Sequence, residues 1–180
     1  MRLVSTEHPD IFRLQPRILE DARGFFFESY NRRVFAELGI QGEFVQDNHS
    51  RSKRGVLRGL HYQIRQPQGR LIRVVVGEVF DVAVDLRRPS SNFGRAFTNR
   101  LSAETHEMLW IPPGFAHGFL VLSDYAEFLY KTTDYYAPDA ERCLAWDDPE
   151  LNIPWPLDGA PLLSAKDQAG LPLAQCEVFA

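Results

Sequence analysis

GVLRGLHYQIRQPQGRLIRVVVGEVFDVAVDLR, residues 55–87, joins a group of chemically able side chains to the clearest strand pattern in the chain. In its second half, Phe80, Val82, Val84 and Leu86 fall on one face of an extended segment, and Val79, Asp81, Ala83 and Asp85 on the other, because strand side chains alternate with period two. One face is apolar and the other carries carboxylates. That suits a closed barrel, where polar faces turned inward form a pocket and apolar faces pack on an outer sheet. A solvated strand face is the plainer reading of the same pattern. In the first half, Arg58, His61, Tyr62 and Gln63 set a cation, an imidazole, a phenol and an amide within reach of one ligand.

The chain has 180 residues, enough to bury about two thirds of its unfolded surface, so a single domain over residues 1–180 is expected. A hydrophobic share of 44% beside 24% charged residues is that of a soluble globular protein, and no apolar run approaches the ~20 residues of a membrane span. The opening MRLVSTEHPDIF has charges and a proline where a secretory signal needs an unbroken apolar region, which predicts a cytoplasmic protein. Cys143 and Cys176 are the only cysteines, too few for a disulfide framework or a cysteine-based zinc site. A net charge of -4 and a pI near 5.7 argue against nucleic-acid binding, so a phosphate ligand would be held by a few local arginines.

Outward from the central stretch, residues 12–19 (FRLQPRIL) alternate around Pro16 and read as an edge strand, since proline cannot donate to a ladder. Residues 21–24 (DARG) are a turn, and 25–30 (FFFESY) read as an aromatic strand whose phenylalanines cannot all face one core. Asn31 caps a short helix over 32–38 that Gly39 ends. Residues 44–50 start as a strand and turn polar, with the amides of Gln46 and Asn48 on one face, apt for a nucleobase edge; 52–55 read as a loop. Phe97 to Leu101 is a strand. His117 heads an apolar strand after a rigid Pro112-Pro113-Gly114 turn, and 127–136 (EFLYKTTDYY) present the Tyr130 phenol from a strand. The proline-rich residues 147–156 read as a tail wrapping the body, followed by the polar cluster 164–167. Many short strands, glycine and proline punctuation and one short helix indicate an all-β sandwich or barrel. Neither G-x-G-x-x-G after a strand nor a P-loop pattern is present, so the chemistry is expected from side chains.

Together, DARGFFFE (21–28), QDN (46–48), LRGLHYQ (57–63), GEVFDVAVDLR (77–87), PPGFAHGF (112–119), YKTTDYY (130–136) and KD (166–167) resemble the dTDP-4-dehydrorhamnose 3,5-epimerase family. The likeness runs from about Ile11 to Asp167. It implies an all-β, cupin-type jelly-roll barrel with a short helix and a proline-rich C-terminal extension. It also implies a cofactor-free homodimer acting on a dTDP-4-keto-6-deoxyhexose.

The chemistry agrees with that resemblance. A ketone at C4 acidifies the C3 and C5 protons, and inversion needs a base on one face, an acid on the other and charge stabilisation at the C4 oxygen. His61 resembles the family's base, Asp167 the carboxylate that orients it, and Tyr130 the opposing acid. Arg70 stands where the family commonly has lysine, which keeps the charge but replaces a point cation with a flat fork of donors. Arg23 and Arg58 resemble diphosphate contacts. Glu28, Gln46, Asn48, His117, Glu141 and Lys166 match substrate-binding positions, and Phe26 is a stacking surface for thymine. The resemblance lets the Arg23–Glu28 segment reach a neighbouring subunit's site.

Rival readings are a metal-dependent cupin, a non-catalytic nucleotide-sugar-binding module, and relatives that invert only C3 or C5 or move the ketone. Cupin metal sites usually need His-x-His, a following carboxylate and a later His, whereas Gln63 holds the second position here and only His117 follows. A binding module would not require His61 and Tyr130 together. Asp81 and Asp85 are read as supporting groups, Cys143 as a small buried residue without a base beside it, and His8, His49 and His106 as residues of polar segments without a role.

Overall fold

The computed structural model describes residues 1–4 and 6–180, which form two facing antiparallel sheets. The first runs, in spatial order, β1 (Arg2–Val4), β2 (Phe12–Gln15), β10 (Met108–Ile111), β7 (Arg70–Val76), β12 (Tyr125–Thr132) and β5 (Gln46–Lys53). The second runs β13 (Glu141–Cys143), β6 (Leu57–Gln63), β11 (Phe115–Val121), β8 (Glu78–Asp85) and β9 (Ala96–Ser102). A separate hairpin pairs β3 (Leu19–Asp21) with β4 (Gly24–Phe26). Helices α1 (Arg32–Glu37) and α2 (Ala165–Gln168) complete the regular elements besides two 3₁₀ turns. This is the cupin-type jelly roll.

Burial follows the alternation. Val79 and Ala83 point between the sheets, where they meet Ile72, Val74, Phe119 and Phe128 in one buried cluster. Asp81 and Asp85 share that inward face and are 0% exposed. Facing outward, Val82, Val84 and Leu86 are covered not by an outer sheet but by chain beyond β13, including Leu144, Leu151, Trp155 and Phe179. Trp155 Nε1 donates to the Trp146 carbonyl at 2.8 Å, fixing this wrap. Over the first sheet, α1 buries Phe35 against Leu14, Leu71 and Met108. Its first turn is satisfied by Asn31 Oδ1, which accepts from Arg33 N at 3.1 Å and Val34 N at 3.4 Å.

Several expectations change. β2 is not an edge: it lies between β1 and β10, and Pro16 falls just past its end, where no ladder bond is lost. The polar run 46–53 is one continuous strand paired along its length to β12, because its inward Gln46, Asn48 and Ser50 line an interior cavity and its outward residues are exposed. The aromatic strand shrinks to Gly24–Phe26, and β12 ends at Thr132 rather than Tyr136. A second helix, α2, forms at the 164–167 cluster.

The three histidines without a role are also placed. His8 is buried, 3.4 Å from Asp85 Oδ2 and edge-on to Phe97 and Phe115. Asp85 is in turn held by Arg87 and the Ser90 hydroxyl, a structural network. His106 packs on Phe25 and Phe27, and His49 pairs with Glu127 at 3.0 Å.

Candidate active site

Between the sheets lies a cavity of ≈ 700 Å³. Its wall is shaped by an irregularity in β6. His61 lies opposite His117 in the β6–β11 ladder, yet Arg58, three residues back, lies opposite Phe119, two residues on. The extra residue is a bulge, and it breaks the alternation that would put Arg58 and His61 on opposite faces. Glycines make it possible: a Cβ on Gly59 would sit 2.5 Å from Gly118 Cα, and one on Gly118 2.6 Å from the Arg58 carbonyl oxygen. Both Arg58 and His61 therefore line the cavity, whereas Tyr62 touches its wall but commits its hydroxyl to the Glu177 carbonyl at 2.7 Å, packed in the outer cluster. The expected convergence of four side chains loses Tyr62.

At the bulge the Gly59 N–H donates to Asp167 Oδ1 at 3.1 Å. The same oxygen lies 2.7 Å from His61 Nε2, a close imidazole–carboxylate pair. The other oxygen, Oδ2, accepts from the Ser164 N–H at 3.1 Å and hydroxyl at 2.6 Å, completing a capping box at the start of α2. So a helix cap aims this carboxylate. Burial alone would raise the Asp167 pKa, but His61, Ser164 and the Gly59 N–H outweigh it and hold the carboxyl well below the usual carboxylate range.

A carboxyl depressed in this way stabilises the fold above its unfolded pKa of about 4, and that contribution fades as pH falls towards the folded value. Asp167→Asn is thus expected to unfold at lower urea concentration than the parent near neutral pH, with the gap narrowing below about pH 4. A gap independent of pH would deny the carboxylate this role.

The opposite wall belongs to the first sheet. Tyr130 projects from β12, packed beside Phe128 at 6.1 Å between ring centroids. Arg70, at the start of β7, donates from Nη1 to the His61 carbonyl at 3.1 Å, while its buried Nε meets no protein acceptor. Burial pulls its pKa down, opposed by Tyr130, Glu141 and Asp81, yet a guanidinium stays charged at neutral pH. His117 is fixed by Asp81 Oδ2 at 2.8 Å and stacks near Phe128. The supporting role expected of Asp81 is what the geometry gives.

At the rim, Glu141 Oε2 accepts from Tyr136 OH at 2.8 Å and Lys166 Nζ at 2.6 Å. Burial would raise the Glu141 pKa, but those two bonds outweigh it and lower it; accepting the Tyr136 proton in this way pushes the phenol's pKa up. Gln46 Nε2 donates to Asn48 Oδ1 at 2.9 Å on the β5 side, and Arg58 Nε donates to Ser52 Oγ at 3.0 Å.

The cavity therefore gathers His61, Arg70, Tyr130 and Asp167 with Gln46, Asn48, Arg58, His117, Glu141 and Lys166. It does not gather Arg23, Phe26 or Glu28. Arg23 is 90% exposed and pairs with Asp21 at the hairpin turn, Phe26 is 69% exposed, and Glu28 accepts from Asn31. The hairpin is a sheet of its own, and within one chain none of these three lines the cavity. Sequence reasoning missed Tyr136, whose place follows from the Gln46 side-chain Oε1 accepting its backbone N–H at 3.0 Å, a cross-loop contact no spacing reveals. It also missed that His61 stands beside Cys143, its cross-strand partner. Both grounds of the Cys143 reading change, since the residue is half-buried rather than buried and has an imidazole beside it, although burial still pushes the thiol up to about 12, against nucleophilic reactivity.

A double-sheet barrel with an imidazole–carboxylate pair facing a phenol across its interior defines a cupin-type epimerase. The chain belongs to the dTDP-4-dehydrorhamnose 3,5-epimerase family, whose model matches residues 5–175. The dTDP-4-dehydrorhamnose 3,5-epimerase of Pseudomonas aeruginosa is 64% identical over 172 residues, covering 95% of each chain. The Legionella pneumophila epimerase in complex with dTDP-4-keto-L-rhamnose superposes with a TM-score of 0.95 at 49% identity, over 98% of this chain and 94% of that one. A 3′-monoepimerase of Streptomyces bikiniensis, bound to dTDP-quinovose, superposes at 0.88 with 35% identity, over 97% and 88%. Among the described residues no helix is long and apolar enough to cross a membrane.

Proposed function

We infer that the chain epimerises dTDP-4-dehydro-6-deoxy-D-glucose at C3 and C5 to dTDP-4-dehydro-L-rhamnose, a step of dTDP-L-rhamnose biosynthesis. The observation that carries this is the division of the catalytic groups between two walls: His61 and Asp167 on the β6 side, Tyr130 on β12 of the facing sheet. His61 removes a proton alpha to the C4 ketone. The imidazolium that results is stabilised by Asp167, already anionic and 3% exposed. Tyr130 returns a proton to the opposite face, which inverts the carbon. Arg70, with an uncommitted buried Nε, meets the negative charge on the C4 oxygen, and His117, held by Asp81, supports it.

Arg58 takes the diphosphate, and Gln46, Asn48, Glu141 and Lys166 the rest of the nucleotide sugar. Arg23, Phe26 and Glu28 act in a second copy's cavity, which the exposed hairpin supports, and the working form is a homodimer. Two free thiols suit a cytoplasmic setting. The chain acts as one domain and uses no cofactor.

Borohydride reduction of the product followed by sugar analysis tests the reaction: 6-deoxy-L-hexoses are expected, and recovery of only the starting 6-deoxy-D-hexose configuration contradicts it. Mixing Arg23→Ala with His61→Ala subunits is expected to give more activity than the two separately, since hybrids hold one intact site. Strictly additive activity would rule out a shared site.

A further inference from the structure

His61, Cys143 and Asp167 come from three elements, β6, β13 and α2, and their ligand atoms all lie within 4.8 Å of one another. Cys143 and His61 are cross-strand partners, which brings their side chains to the same face. Zinc ligands at about 2.0–2.3 Å in a tetrahedron are roughly 3.2–3.8 Å apart, so the widest spacing here needs to close by only about an ångström, while His61 Nε2 and Asp167 Oδ1, now 2.7 Å apart, open by about half an ångström. Nitrogen, sulfur and carboxylate oxygen are the donors that borderline-soft cations take, with a fourth position left to water from the cavity.

We propose that His61, Cys143 and Asp167 form an inhibitory site for a soft divalent cation of the zinc type, which occupies the imidazole–carboxylate pair and blocks substrate. The His-x-His pattern of cupin metal centres plays no part, because the sulfur comes from the edge strand β13 and not from the barrel wall around His117. On binding, the Cys143 S–H proton leaves to solvent as the S–metal bond forms. His61 binds the cation as a neutral imidazole, its proton moving to the other ring nitrogen so that Nε2, 2.7 Å from Asp167 Oδ1, presents the lone pair. Inhibition rests on the function proposed above, whereas metal binding does not.

Cobalt(II) titration of the full chain tests the binding directly, because a thiolate–cobalt bond gives a near-ultraviolet charge-transfer band. One cobalt per chain with that band is expected in the parent and no band in Cys143→Ala, with Cys143→Ser as the variant that preserves volume. In turnover assays, Cys143→Ala is expected to need more than about tenfold more zinc for half inhibition, the effect of losing a metal-site contact, while keeping its metal-free activity. Absence of the band in the parent, or zinc inhibition unchanged by both substitutions, would overturn the site. A band in a parent protein that lacks epimerase activity would overturn the proposed function and leave the metal site standing.

Discussion

Proton exchange at C3 and C5 is expected to fall by about 10²–10⁴-fold in His61→Ala, the contribution of a positioned general base, with nucleotide-sugar affinity kept within about tenfold, or ~1.4 kcal/mol. The expectation rests on what else holds the substrate. Arg58, Lys166, Glu141, Gln46 and Asn48 reach the cavity from β5, β6, β13 and α2, so removing one imidazole leaves the binding walls in place. Nor does the fold depend on it: Asp167 keeps its bonds from Ser164 and the Gly59 N–H. Exchange by NMR beside calorimetric binding separates the two quantities. Loss of affinity with the rate per bound substrate unchanged would make His61 a structural histidine.

Tyr130→Phe is expected to lower epimerisation by about 10²-fold or more while proton exchange persists, because the base still forms the enolate and only its reprotonation from the other face is lost. The ring's packing beside Phe128 and the strand's pairing to β5 and β7 do not need the hydroxyl, so stability is expected to hold. Exchange outrunning inversion is the signature to look for. An epimerisation rate equal to the parent's would remove Tyr130 from the mechanism. Both variants act on opposite walls of the cavity, and their different signatures follow from that placement rather than from the size of the defect.

Much of this was legible in residues 77–87, where strict alternation on β8 put Asp81 and Asp85 inside and Val82, Val84 and Leu86 outside. Alternation failed at Gly59, since a bulge adds a residue that no hydrophobic pattern marks. It failed again at the end of β5, where Ser52 and Lys53 of a polar edge strand read as a loop. Asp167 could be tied to His61 only through the family resemblance: 106 residues apart in the sequence, they meet because a capping box on a four-residue helix faces the β6 bulge. His8 was read as part of a polar segment because its neighbours in sequence are polar, while its partners Asp85, Phe97 and Phe115 are distant along the chain. The hairpin residues Arg23 and Phe26 match the family's motif, but no single chain brings them to the cavity.

The most direct measurement follows the C3 and C5 proton signals of dTDP-4-keto-6-deoxyglucose incubated with the protein in heavy water. Loss of both signals is the predicted result, because one base facing one acid across the cavity reaches both carbons alpha to the ketone. Loss of one alone would make this a single-site epimerase. Retention of both, with the nucleotide sugar bound, would contradict the catalytic role of the His61–Asp167 pair.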